Sequence, residues 1–193
     1  SGELTVAEIR KGLCERVVQG DLAPAFCCSA SNNHGVREVL DEVVDVLPSP
    51  LDVKPEAAQA VGNGDEVTIR CDPAAPAAAL VFKTLSEQHL GDLSMLRLYA
   101  GRLEPGRELA NTARNRSEKI GALYHLVGKE RNECKVATAG DIVAAVKLKE
   151  THTGDTLADK ARLVKLGGPR FPGHVTAESI HAKNKGDEEK MAQ

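Results

Sequence analysis

The side chains best suited to chemistry in this chain are concentrated in one short basic stretch. Six of the 23 residues from position 97 to position 119 carry positive charge: Arg97, Arg102, Arg107, Arg114, Arg116 and Lys119. Guanidinium groups fork onto phosphate oxygens, so clustered arginines in β-hairpin loops suit contacts with a phosphate backbone. Three glutamates are interleaved with them, and a solvated face of mixed charge is the alternative interpretation of the same pattern.

Motifs for catalysis or for metal binding do not occur in the sequence. No Gly-x-x-x-x-Gly-Lys-Ser/Thr phosphate loop is present, and no serine stands in a Gly-x-Ser-x-Gly context. The five cysteines form no Cys-x-x-Cys pair, and none of the six histidines stands at metal-ligand spacing from another ligand. We therefore predict no catalytic residue, no metal site, and free thiols in a reducing cytosol.

Composition and charge favour a module that binds an anionic partner. The net charge is −3, but residues 1–65 hold 5 basic and 11 acidic side chains, whereas residues 66–165 hold 16 and 13. Aromatic residues make up only 3% of the chain, which argues against binding of single strands by base stacking. No apolar run reaches 18 residues, so the sequence predicts no membrane span and no membrane partner.

The middle of the chain shows the rhythm of a small closed β-barrel. Between Gly91 and Leu157, glycine-containing turns separate apolar runs of strand length, as hairpins require. The predicted strands are 80–85, 93–99, 107–112, 118–126, 134–138 and 141–148.

The first 50 residues have a different pattern, typical of an open α/β domain. Residues 3–18 predict a helix, with Thr5 and Glu8 forming a capping box. Residues 22–28 are almost all apolar and predict a buried parallel strand. Residues 36–47 predict a second helix, which the prolines after it terminate.

The segments on either side of the barrel complete the predicted organisation. Residues 52–79 are rich in Ala, Pro and Gly and predict a linker with one short strand at 67–69. Residues 80–166 form the barrel. Residues 171–180 alternate as a strand does, and the charged residues that follow indicate a further domain, so 167–193 is predicted to be its start.

The order of these motifs resembles elongation factor G, a translational GTPase that drives ribosomal translocation. The segments that carry the resemblance follow the family's order: 21–30, 33–36, 47–52, 80–83, 93–103, 139–142 together with 148–157, and 171–172 together with 187–191. The first two resemble the fifth guanine-nucleotide motif of the GTPase domain. The third resembles the end of that domain, the next three the second domain, and the last the start of the third domain.

The resemblance implies the identity of each region. Residues 1–51 would be a helix–strand–helix remnant of a P-loop GTPase domain, and 80–166 would be a barrel of the translation-factor second-domain type. By the same resemblance, Ser29 and Ala30 would sit against a guanine base, largely through their backbone N–H groups. The phosphate loop and switch regions would lie upstream, so we expect no GTP hydrolysis by this chain alone.

The resemblance also implies partners and a location. The ribosome, through small-subunit ribosomal RNA, would contact the basic stretch, and GTP with Mg²⁺ would belong to the parent protein rather than to this chain. We expect no DNA partner and a cytoplasmic location.

Two other classes of protein remain open at this point. One is a related translational GTPase that acts in ribosome protection, release or recycling. The other is a stand-alone barrel that binds RNA or protein without any GTPase. The helix–strand–helix at 3–47 argues against the second, because half an α/β domain cannot cover its own apolar faces.

Overall fold

The computed structural model describes residues 3–87 and 91–182, which form two helices and thirteen strands. The helices are α1 (Val6–Gln19) and α2 (Val36–Val46). The strands are β1 (Glu56–Ala60), β2 (Glu66–Ile69), β3 (Ala78–Glu87), β4 (Gly91–Ala100), β5 (Arg102–Leu103), β6 (Glu108–Asn111), β7 (Arg116–Lys119), β8 (Leu123–Val127), β9 (Glu130–Cys134), β10 (Ala137–Thr138), β11 (Ile142–Val146), β12 (Thr156–Ala158) and β13 (Val164–Leu166). We call residues 5–47 the helical region and residues 56–166 the strand region.

Both predicted helices are confirmed, and local signals account for the first. The Thr5 hydroxyl accepts from the Glu8 N–H at 3.3 Å, and the Glu8 carboxylate accepts from the Thr5 N–H at 2.8 Å. This reciprocal capping box satisfies donors that the first turn of a helix leaves unpaired. Gly20 ends α1 in the left-handed conformation, with φ of 78°, where glycine meets no steric penalty.

The predicted buried strand at 22–28 is wrong. The segment has no regular secondary structure and belongs to no sheet, and most of it is exposed, including Phe26 at 45%. A parallel strand is buried only when neighbouring strands and helices cover both of its faces. No such neighbour lies beside this segment in the described part of the chain.

The strand region is built on one eight-stranded antiparallel sheet. Its strand order is β7-β6-β12-β3-β4-β11-β8-β9. The long β3–β4 hairpin forms the centre, and β-bulges shift its register between Ala78 and Ala79 and between Val81 and Lys83. Bulges increase local twist and bend a strand. The fold is therefore mainly β, as the sequence predicts.

The large sheet is curled around its main apolar cluster. Fifteen buried residues form one cluster, and they include Leu109 of β6, near one edge, and Cys134 of β9, at the other. Strands lie about 4.8 Å apart, so a flat eight-stranded sheet would hold its two edges roughly 30 Å from each other. Only residues 120–122 separate β7 from β8, which stand six positions apart in the strand order, and a connection of that length spans no more than about 14 Å, so the sheet curves strongly.

The closed barrel that the sequence predicts is shown only in part. The strand pairs recorded among the described residues leave β7 and β9 as the two edges of the ladder. The chain passes directly from β7 into β8, and Ala122 in that connection accepts the N–H of Val146 at 3.2 Å. Curvature around one core is thus observed, and full closure stays a prediction.

A second, smaller sheet packs on the outside of the first. Its order is β13-β1-β2, and its core joins Ala58, Ile69 and Val164 to Ala78 and Leu80 of β3. Alternate residues at 77–81 therefore enter the two cores, which explains why this segment is apolar without a break. The predicted linker at 52–79 contains two strands of this sheet rather than one, while the predicted domain boundaries stay predictions.

Two predicted strands are each divided in the structure. The 118–126 strand is split into β7 and β8 around Gly121, where an added Cβ would lie 2.4 Å from the Val146 carbonyl oxygen. This approach of two backbones interrupts the strand. The 134–138 strand is likewise replaced by β9 and β10.

The strand predicted at 171–180 is not formed. Residues 167–182 have no regular structure, and Phe171, Val175 and Ile180 are all exposed. An extended segment needs a neighbouring strand to satisfy its backbone groups, and none is paired with it in the described residues. The charged residues 183–193, on which the predicted start of a third domain also depends, lie outside them.

Candidate functional site

The structure divides the six candidate cations into three groups with different surroundings. Arg107 and Arg114 form ion pairs with buried or half-buried aspartates. Arg97 packs on an aromatic ring in a cleft. Arg102, Arg116 and Lys119 are exposed, and no ion pair is recorded for them in the described structure. Proximity in sequence therefore does not translate into one uniform basic surface.

Arg107 has a structural role. Its guanidinium donates to the Asp159 carboxylate and to the carbonyl oxygen of Arg102. Hydrogen bonding to Asp159, from the Ala161 N–H first and then from Arg107, holds the pKa of that carboxyl below its usual range despite partial burial. A guanidinium bonded on two sides has fewer donors left for a phosphate.

Arg114 is held by a buried polar network that sequence reasoning missed. Its Nε donates to Asp155 Oδ2 at 2.8 Å, and the Asn111 amide donates to the same oxygen at 2.9 Å. The Asn111 amide also donates to the Thr151 hydroxyl at 3.1 Å. Asn111 is fully buried, and its own Oδ1 accepts the N–H groups of residues 113 and 114. This network ties the β6–β7 hairpin to the loop before β12.

Glu118 anchors the same loop from β7. Its buried carboxylate accepts the N–H groups of Lys149 and Glu150, at 3.2 and 2.6 Å, and the Thr151 hydroxyl at 2.9 Å. Burial opposes ionisation of Asp155, but bonds from Asn111, the His152 N–H and Arg114 outweigh it, so its pKa lies below the usual range. Satisfied networks of this kind rigidify a structure. No local sequence signal marks this one, because Asn111 and Asp155 are 44 residues apart.

The three exposed cations lie at one edge of the large sheet and on a short strand near it. Arg116 and Lys119 are on the edge strand β7, and Arg102 is on β5. Lys119 lies opposite Glu108 in the β6–β7 register. Hydrogen bonds from Lys160 and Ser117 lower the pKa of Glu108, and the charge of Lys119 contributes less. Among the six candidate cations, these three are exposed and have no ion pair recorded in the described structure.

Arg97 has a third environment. It lies 5.2 Å from the centre of the Tyr99 ring, within the range of cation–π attraction. Burial raises the pKa of Tyr99, the charge of Glu56 raises it further, and Arg97 opposes both. Arg97 and Tyr99 line a cleft of about 760 Å³ between the strand region and the end of α1.

Ser29 and Ala30 lie in a tight hairpin of the helical region. The Ser29 N–H donates to the His34 carbonyl at 2.9 Å, and the His34 N–H donates to the Ser29 carbonyl at 3.1 Å. Asn33 adopts a left-handed φ of 53°, which asparagine tolerates in turns. The N–H of Ser29 is thus already bonded within the hairpin. A guanine base would have to be contacted by N–H groups of residues next to Ser29.

Other candidate chemistry is sparse in the described part of the chain. Residues 3–87 and 91–182 contain no group of three or more His, Cys, Asp or Glu side chains placed to hold a metal ion. His89 lies outside the described residues. A search of the described helices finds none that combines the length and the apolar character needed to cross a bilayer.

Comparison with known proteins gives a family match for most of the strand region. Residues 76–160 match the family model described as elongation factor G domain 2. The whole fold is similar to the crystal structure of a protein from Thermus thermophilus, with a TM-score of 0.74 and 28% sequence identity. That match covers 98% of this chain and 26% of the Thermus chain, so this chain spans about a quarter of its relative's length. Residues 76–160 therefore form a translation elongation factor-like domain of the domain 2 type.

Proposed function

We propose that this chain is the ribosome-binding part of an elongation factor G-like GTPase that promotes GTP-dependent translocation in the cytoplasm. The observation that carries the proposal is the domain 2 match over residues 76–160, which contains all six candidate cations. The likeness to a chain of which this one covers 26% supports the view that other activities of such a protein lie elsewhere in it.

In this proposal, the exposed cations contact small-subunit ribosomal RNA. Arg102, Arg116 and Lys119 project from the strand region, and none has an ion pair recorded in the described structure. Cations that neutralise phosphates release condensed counterions, so binding through them weakens as salt rises. Arg107 and Arg114 support this surface indirectly, because their aspartate partners fix the β6–β7 hairpin.

Guanine-nucleotide binding by this chain alone would be weak or absent. Ser29 and Ala30 would supply one contact set among several, and the Ser29 N–H is committed to His34. GTP and Mg²⁺ would be held by parts of a longer protein, which would also carry the hydrolytic machinery. We expect no GTP turnover by the pure chain, and release of phosphate above the buffer rate would contradict this.

Binding to isolated small ribosomal subunits tests the RNA contact. The double variant Arg102→Glu/Arg116→Glu should bind more weakly. The plot of log affinity against log salt should become shallower by about two units of slope, one for each lost phosphate contact. Lys165→Glu/Arg170→Glu is the matched control: it changes the charge by the same four units at two exposed residues outside the basic stretch and should leave the slope unchanged.

Two results would reject the RNA contact. Unchanged affinity and slope in the double variant would remove Arg102 and Arg116 from the interface. Equal weakening by Lys165→Glu/Arg170→Glu would show that net charge alone governs binding. Each variant is first compared with the native chain by urea unfolding, so that a loss of affinity is not a loss of fold.

A further inference from the structure

The cleft beside Arg97 is formed where the helical region meets the strand region. Its walls come from the last residues of α1, the segment 50–56, the end of β2 with the residues after it, and the end of β4. Its volume of about 760 Å³ falls within the range of small-molecule sites, which is roughly 300–1,000 Å³. None of the residues that resemble the fifth guanine-nucleotide motif lines it.

The floor of the cleft is firmly built. Ile69 and Leu98 are buried, and backbone bonds join Gly140 N–H to the Leu98 carbonyl at 2.7 Å and Leu98 N–H to the Asp141 carbonyl at 2.9 Å. Gly140 has a left-handed φ of 101°, and a Cβ there would lie 3.1 Å from the Pro50 ring. This close approach joins the two walls, so the cleft exists before any ligand arrives.

Three cations line this cleft and are not neutralised in pairs. Lys54, Arg70 and Arg97 face two carboxylates, Glu56 and Asp72, and no ion pair is recorded for any of the three cations in the described structure. Exposed lysine and arginine side chains are normally hydrated or form an ion pair with a nearby carboxylate. Three cations against two carboxylates leave the lining with a net charge of +1, and low-dielectric walls focus the resulting positive potential.

The aromatic member of the cleft adds a donor and an apolar surface. Because the pKa of Tyr99 is raised by burial and by Glu56, its phenol keeps its proton at neutral pH. Its ring also positions Arg97 through the cation–π contact at 5.2 Å. A planar guanidinium held in one orientation is suited to bidentate contact with phosphate oxygens.

We propose that this cleft binds a small phosphate ester, with Arg70, Arg97 and Lys54 contacting the phosphate and Tyr99 bordering the rest of the ligand. The site is separate from the proposed ribosomal RNA contact, which uses Arg102, Arg116 and Lys119. The volume suits a molecule the size of a nucleotide, and inorganic pyrophosphate represents its charged part.

Calorimetric titration of the chain with inorganic pyrophosphate and with adenosine 5′-diphosphate tests this site. Both probes should bind with a stoichiometry of one, and Arg70→Gln and Arg97→Gln should each weaken binding about tenfold or more, as loss of a charge-assisted contact does. Arg37→Gln is the control, because it removes an arginine from the exposed face of α2, away from the cleft. Arg70 is exposed, so its variant should retain the native urea midpoint.

Several outcomes would overturn the site. Absence of saturable binding at millimolar probe would do so, as would binding that neither cleft variant changes. A third outcome is that a single-stranded RNA oligonucleotide binds, that Arg70→Gln weakens this binding, and that neither pyrophosphate nor the nucleotide binds. This result would assign the cleft to RNA instead. None of these results depends on Arg102 or Arg116, so none of them tests the ribosome proposal, which has its own experiment.

Discussion

The helical region and the strand region contain similar apolar residues but bury them very differently. No residue of α1 is buried, and α2 buries Val46 alone, while Leu40 and Val44 are 60% and 82% exposed. In the large sheet, by contrast, fifteen buried residues pack in one cluster. Local signals such as a capping box fix where a helix begins, whereas burial requires partners that supply the opposite surface. The two regions therefore owe their order to different sources of stability.

The largest difference between the regions is expected from truncation of matched leucines. Leu98→Ala removes a fully buried side chain from the sheet core and should lower the free energy of unfolding by about 2–5 kcal/mol. Leu40→Ala makes the same change on the exposed face of α2 and should cost no more than about 0.5 kcal/mol. Urea denaturation of both variants measures the contrast. Equal losses would show that α2 is packed in solution and that the comparison is wrong.

A pair of glycine substitutions should change stability in opposite directions. Gly101 has a φ of 78°, and an added Cβ would lie 2.6 Å from the Ala77 Cα, so Gly101→Ala should destabilise by more than about 1 kcal/mol. Gly12 lies inside α1 with open space around it, so Gly12→Ala should stabilise the helix by roughly 0.5–1 kcal/mol. Far-ultraviolet circular dichroism during urea unfolding reports both. A stabilising Gly101→Ala would refute the close approach of the two backbones.

The smallest expected effect is a difference in acid sensitivity. The pKa of Asp155 is lowered in the folded state, so its contribution to stability is present above the unfolded pKa, about 4, and is lost as the pH falls toward the folded value. Asp155→Asn cannot lose that contribution. We expect its unfolding free energy to fall less than that of the native chain between about pH 5 and pH 3. Asp21→Asn, on the exposed turn after α1, is the control, and an identical acid profile for all three proteins would contradict the prediction.

Sequence reasoning succeeded where the signal was local. The Thr5 and Glu8 pair predicted the start of α1, and glycine turns predicted most of the strand region. It failed for residues 22–28, because an apolar run implies burial without showing that a covering partner is present. It also failed at Gly121, where the interruption of a strand depends on the distant Val146 carbonyl.

The candidate site shows the same limit. Composition identified the basic stretch but could not separate its members, because Arg107 and Arg114 owe their structural role to aspartates 52 and 41 residues away. The network around Asn111 and Glu118 was not predicted at all. Polar residues in a strand are interpreted as surface residues unless their partners are known, and those partners lie in a loop more than 30 residues later.

By itself, the sequence determined the presence of both helices, the mainly β character, the concentration of positive charge and the order of motifs that resembles elongation factor G. These properties depend on neighbouring residues, whose spacing the chain displays directly. Tertiary structure alone decided which cations remain available, where the apolar residues are covered, and that Arg97 faces Tyr99 in a cleft with Lys54 and Arg70. The reason is physical: charge neutralisation and burial are set by contacts between segments that are distant along the chain, and only folding brings those segments together.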